Sequence, residues 1–207
     1  MFKILEYSHL GGSEILQVRF PKINKEIDDV ITSIRNVKKL KKSKEKTKKD
    51  RMLYSPKDLN KRFTRALNDR GFDELIDRYT VKIPGHNYEV KGAYKQVDFA
   101  KNKVLVEVQF GKYPFMFYDL FKFQYFFNEA KAEVGVEIVP AHYMHKHMSS
   151  GTSYGEQLLW DIERLKRHFP SVPVKVILIS VDPLPTEHLV AEEGLRKSIA
   201  QQTEDVS

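Results

Sequence analysis

Apolar and polar positions alternate most regularly at residues 103–110. Val104, Val106, Val108 and Phe110 fall on one side of an extended chain, and Lys103, Leu105, Glu107 and Gln109 on the other, the period-two pattern of a strand. With the residues from 94 onward, this segment reads as a β-hairpin joined by a polar turn at residues 100–103. The apolar set is expected to pack against helices. Glu107 and Gln109 are then left side by side on the opposite face.

Helical spacing takes over elsewhere. In residues 22–37, Ile23, Ile27, Val30, Ile31 and Ile34 share one face, which predicts an amphipathic helix. Residues 55–70 carry full helix punctuation: Ser55 as N-cap, Pro56 at the first position, Asp58 in the positive first turn and Gly71 as the stop. Leu59, Phe63, Ala66 and Leu67 form its buried stripe. Residues 114–131 predict a strongly aromatic helix. Its Phe115, Phe117, Tyr118, Phe121, Phe123, Tyr125, Phe126 and Phe127 cover more than one face, so it is either buried or packed against a partner as well as its own sheet. A further helix is expected at 154–169, with strands at 78–83, 134–139 and 173–181. Residues 2–7 read as extended, residues 14–18 as either helix or strand, and residues 140–153 as a loop. This order predicts an α/β fold, a mixed central β-sheet flanked by helices. One domain is expected over residues 1–183, with residues 184–207 a partly helical or disordered tail.

Composition narrows the class. A chain of 207 residues can bury a proper core. The absence of cysteine rules out disulfides and thiolate metal sites and fits a cytoplasmic location, and no apolar run is long enough to span a bilayer. A net charge of +7 and a pI near 9.3 favour a polyanionic partner, nucleic acid first and an anionic membrane surface second. Charge is densest at residues 38–51, where nine of fourteen residues are Lys or Arg. Such a run is either a solvated flexible segment or an arm on phosphates, with Lys44, Lys46 and Lys48 as contacts. It has no accompanying apolar face, which argues against a membrane. His142, His145 and His147 lack the helical pairing of a hydrolytic zinc site and read as an exposed loop.

The hairpin holds the candidate chemistry. Asp98 ends its first strand, so the turn brings this carboxylate towards Glu107. Two converging acids disfavour each other's ionisation, a conflict that a hard divalent cation resolves through oxygen ligands. Spacing alone is weak: with 28 acidic residues, about one such Asp–Glu pair arises by chance, and on spacing alone a solvated polar face is the preferred reading.

The wording of the segment adds more. VEVQFGKYPF, with Asp98 nine residues before Glu107, resembles the active-site segment of the BglII/BstYI group of type II restriction endonucleases, within the PD-(D/E)XK nuclease superfamily. The likeness extends over YSHLGG, SKEKTK with LYSP, QFGKYPF with YDLF, VGVEI and MSSGTSY, and is nearest to the BstYI side of the group. It implies the αβββαβ core of that superfamily and Mg²⁺-dependent cleavage of double-stranded DNA. Asp98, Glu107 and the Val108 carbonyl are the implied metal ligands. Gln109 stands where most of the superfamily has lysine; the group itself carries glutamine there, and the implied role is positioning the attacking water. Glu14 reads as an exposed glutamate, or as an extra catalytic carboxylate by the same resemblance. Lys112, Ser149, Ser150, Thr152 and Ser153 are the implied DNA contacts. A palindromic target containing GATC, RGATCY in fuller form, implies a homodimer. A cognate DNA methyltransferase is implied as a functional rather than physical partner. Two other readings stand beside this one: a repair nuclease on the same fold, and a non-catalytic basic DNA-binding module.

Overall fold

A computed structural model of the chain describes residues 1–183; the tail expected from residue 184 onward lies outside them. The order is β1 (Phe2–His9), α1 (Gly12–Arg19), α2 (Pro21–Ser33), β2 (Lys41–Lys42), β3 (Met52–Leu53), α3 (Pro56–Asn68), β4 (Asp73–Lys82), β5 (Glu89–Lys101), β6 (Val104–Val108), α4 (Tyr113–Asn128), β7 (Val134–Pro140), α5 (His142–His145), α6 (Gly155–Leu165) and β8 (Val174–Ser180). Six strands form one sheet in the order β1-β8-β7-β6-β5-β4. The pairs β6–β7 and β7–β8 are parallel, and the outer pairs are antiparallel. The sheet is mixed, as expected.

Helices cover both faces. Ile23, Ile27, Val30, Leu59, Phe63 and Leu67 of α2 and α3 pack on Val104, Val106, Val108, Ile138 and Ile177. Met116, Leu120, Phe123 and Phe126 of α4, with Leu158 and Ile162 of α6, pack on Leu105, Val139, Val176 and Leu178. A strand covered on both faces loses its solvated side. That corrects the expectation for β6, whose residues are all buried: the Glu107 face lies under α4.

Ser55 caps α3 by accepting from the Asp58 amide at 3.4 Å, and Gly71 takes φ 75° at the stop. The central turn is the two residues Asn102 and Lys103, both left-handed (φ 48° and 66°), the twist that closes a tight hairpin. Several boundaries differ from expectation: β5 begins at Glu89 rather than 94 and carries Asp98 inside it rather than at its end, and α4 and α6 stop at Asn128 and Leu165, short of 131 and 169. α2 ends at Ser33, because the chain extends at Ile34 (ψ 99°) and turns left-handed at Asn36. β4 starts at Asp73, ahead of the predicted 78: this edge strand buries so few side chains that its alternation is faint. The expected loop after β7 contains α5 and its buried Met144. Among the described residues no helix is long and apolar enough to cross a membrane.

Candidate active site

Register brings the two acids together. Phe99 pairs with Val106, so the next residues along, Asp98 and Glu107, lie side by side. The Asp98 amide donates to Glu107 Oε1 at 3.3 Å. The Asp98 side chain is exposed, whereas Glu107 is 3% exposed. Gln109 follows at the end of β6. Its Nε2 donates to Asp119 Oδ2 at 2.8 Å, and its Oε1 accepts from the Gly111 amide at 2.8 Å.

Helix α4 adds charge from above. Lys122, 8% exposed, donates to Glu107 Oε1 and lies 2.7 Å from Asp119 Oδ1. Strand β7 adds a fourth acid. Glu137 pairs in register with Glu107, is wholly buried, and has no hydrogen-bond partner for either carboxylate oxygen. Burial raises the Glu107 carboxyl above the ordinary range, with Asp119 and Asp98 adding to it and Lys122 opposing. Burial also raises Asp119, against Lys122 and Gln109. Glu137 goes well above its ordinary value, by burial first and then by Asp119 and Glu107. Burial would lower Lys122, but the two carboxylates beside it outweigh that and raise it.

Lys122 thus pairs with Glu107 and Asp119 only, and Asp98 and Glu137 add further acid to the neighbourhood, so that ionised together the group carries excess negative charge. The donors are oxygens and the acids outnumber the one ammonium, so Asp98 and Glu107 suit a hard divalent cation. Among the described residues no three acids already converge as a ready metal cage; Lys122 sits against two of them.

The other candidates divide into two groups. Lys112 is exposed at the N-terminus of α4. The Ser153 amide donates to the Gly111 carbonyl at 2.9 Å, which ties the 149–153 loop to the chain just past β6. Ser149 and Ser150 are accessible, whereas Thr152 and Ser153 are buried. The basic run is folded onto this loop. β2 pairs with β3, a 3₁₀ turn spans Lys46–Lys48, and Lys48 Nζ donates to the Met148 carbonyl at 2.7 Å. Glu45 accepts from the Ser150 amide at 3.0 and 3.2 Å, while Lys44 and Lys46 are left exposed. Neither the flexible-segment reading nor the loop reading anticipated this docking. Glu14 belongs to the second group. Its helix starts against Val174 and ends on Glu133, at the leading ends of β8 and β7, whereas Glu107 and Gln109 lie at the trailing end of β6. Glu14 accepts from Ser8, and the structure does not bring it together with Asp98, Glu107 and Gln109.

Sequence reasoning missed Asp119, Lys122 and Glu137. The signal was faint: an acid and a base three residues apart in an aromatic helix, and one charge inside VGVEI. His142 and His145 stack at 6.0 Å on α5 rather than lying in an open loop.

A family model described as restriction endonuclease BglII/BglIII matches residues 4–179. No curated protein matches the chain. Among solved structures, restriction endonuclease BglII complexed with a DNA 16-mer aligns at TM-score 0.68 and 21% identity, covering 87% of this chain and 78% of that one. Free BglII aligns at TM-score 0.62 and 21% identity, covering 89% and 82%. At that identity the likeness to the two structures establishes a shared fold.

Proposed function

The chain belongs to the BglII/BglIII family of restriction endonucleases, and from that premise we propose the particulars of its reaction: Mg²⁺-dependent double-strand cleavage, by a homodimer, at a palindromic DNA site containing GATC, with RGATCY as the first sequence to test. At the family level it is a type II restriction endonuclease, a site-specific deoxyribonuclease. The catalytic unit is taken as one domain over residues 1–183. Nearness to BstYI within the family rests on YSHLGG, SKEKTK and MSSGTSY.

One observation carries the reading: Asp98 and Glu107 meet across the β5–β6 hairpin with Gln109 next along the strand. Asp98, Glu107 and the Val108 carbonyl would hold Mg²⁺. When bound, the ion supplies a lowered pKa for water and neutralises charge growing on the phosphate. Gln109 orients the attacking water; its amide, unlike lysine, brings no charge. As the water oxygen bonds to phosphorus, a phosphodiester P–O bond breaks; the water's proton passes to a substrate phosphate oxygen, and the leaving oxygen takes up a proton from solvent. Lys112, Ser149 and Ser150 flank the site as DNA-facing groups, a lysine being suited to guanine O6 and N7. Lys44, Lys46 and Lys48 supply phosphate affinity independent of sequence.

The test is digestion of unmethylated plasmid with Mg²⁺ beside an Asp98→Ala control, with fragment ends sequenced. Discrete fragments with four-base 5′ overhangs at GATC-containing sites, absent from the control, are expected. Discrete cuts at unrelated sequences would overturn the proposed site, and cleavage at structural features would point to a repair role. Salt-sensitive binding without cleavage would favour a DNA-binding module.

A further inference from the structure

Gln109 and Glu107 are each gripped by a residue of α4, and those two residues grip each other. Gln109 donates to Asp119, Asp119 pairs with Lys122, and Lys122 pairs with Glu107. Because Glu107 and Gln109 point to the same side of one strand, the four side chains close a ring. We propose that Asp119 and Lys122 are positioning residues of the nuclease, a clamp that sets the Gln109 amide and the Glu107 carboxylate in their working orientations. The proposal rests on the endonuclease reading above.

Gln109 shows the need for a clamp most directly. A free glutamine samples several rotamers and two amide flips. Here the Gly111 amide selects the oxygen end and the Asp119 carboxylate the nitrogen end, which leaves one orientation. The contact depends on a bare glycine: a Cβ at Gly111 would stand 2.5 Å from Gln109 Oε1. Stability is a poor explanation for the ion pair. α4 is otherwise apolar on its buried side, and a buried ion pair replaced by apolar groups of like volume is commonly neutral or stabilising. Residues that support groups at a metal-dependent site act on rate through orientation.

The deciding variant is Asp119→Leu/Lys122→Met, which removes one charge of each sign; because it also enlarges position 119 and takes the ammonium from Glu107, Asp119→Asn, which keeps the volume and the Lys122–Glu107 pair, is measured beside it. Three quantities are measured: the melting midpoint, the metal-free dissociation constant for duplex containing the site that the wild type cuts, and the single-turnover cleavage constant with Mg²⁺. A clamp predicts a midpoint within about 4 °C of wild type, DNA affinity within about threefold, and cleavage slower by about 10- to 100-fold. Cleavage within about threefold of wild type would overturn it. So would a loss of cleavage matched by an equal loss of DNA binding, because the pair would then merely support the binding surface. If the double variant melts below the assay temperature, the near-isosteric Asp119→Asn decides by the same split. A wild type that binds without cutting removes the endonuclease reading itself, an outcome distinct from a cutting wild type and an equally active variant.

Discussion

Glu137 lies at the centre of the sheet with two carboxylate oxygens that nothing in the described structure satisfies. Such a group is kept neutral by burial, and its carboxyl stands well above the ordinary 4.5. The sign of its effect on stability follows. Between 4.5 and the raised folded value, the folded chain holds a proton that the unfolded chain has released. The contribution is therefore fully present below 4.5 and is lost as pH rises towards the folded value. Glu137→Gln removes this group's dependence. Denaturant midpoints taken at pH 5 and pH 8 should fall more with pH for wild type than for the variant; equal falls would mean that Glu137 is charged in the fold. Partners alone separate the proposed metal ligand Glu107 from its neighbour. Glu107 and Glu137 are adjacent glutamates on neighbouring strands, but only Glu107 has the Asp98 amide and Lys122 as partners.

At the scale of elements, the β2–β3 hairpin and the 149–153 loop act as one surface. Glu45 joins them through the Ser150 amide, Lys48 through the Met148 carbonyl, and Lys41 through Ser149. The loop in turn reaches the chain just past β6 through Ser153 and Gly111. A basic run of this density would repel itself as an isolated segment; here the loop's carbonyl and hydroxyl groups accept from its lysines. Releasing the tie should cost binding more than folding. Glu45→Ala is expected to weaken affinity for specific duplex by about tenfold, with the melting midpoint unchanged to within about 2 °C. Fluorescence anisotropy at fixed salt measures the first quantity, and unaltered affinity would separate the hairpin from recognition.

For the whole molecule, the face of α4 turned away from the sheet carries Phe115, Tyr118 and Phe121, all substantially exposed, with Tyr118 and Phe121 stacked at 5.8 Å. An exposed aromatic patch of this kind suits self-association, and the palindromic target proposed above would call for two-fold symmetry. Phe121→Glu should shift the sedimentation mass from dimer to monomer. It should also turn concerted double-strand cleavage into nicking. A variant that remains dimeric would place the symmetry axis elsewhere. This helix also carries Asp119 and Lys122 on its buried side, so the proposed assembly face and the proposed clamp would share one element.

Much was legible without a fold. Ser55, Pro56 and Gly71 marked α3 because capping and backbone permissiveness act within a few residues of chain. The alternation from Lys103 to Phe110 marked β6 for the same local reason, and the short spacing of Asp98, Glu107 and Gln109 carried the candidate motif. Tertiary structure decided the rest. It buried the polar side of β6, because a strand in mid-sheet has a helix on each face. It set Lys122 against Glu107 and Asp119 against Gln109, and it left Glu14 at the other end of the sheet. Each of these depends on which elements meet in space, and periodicity along the chain records which face an element turns inward but not what will cover it.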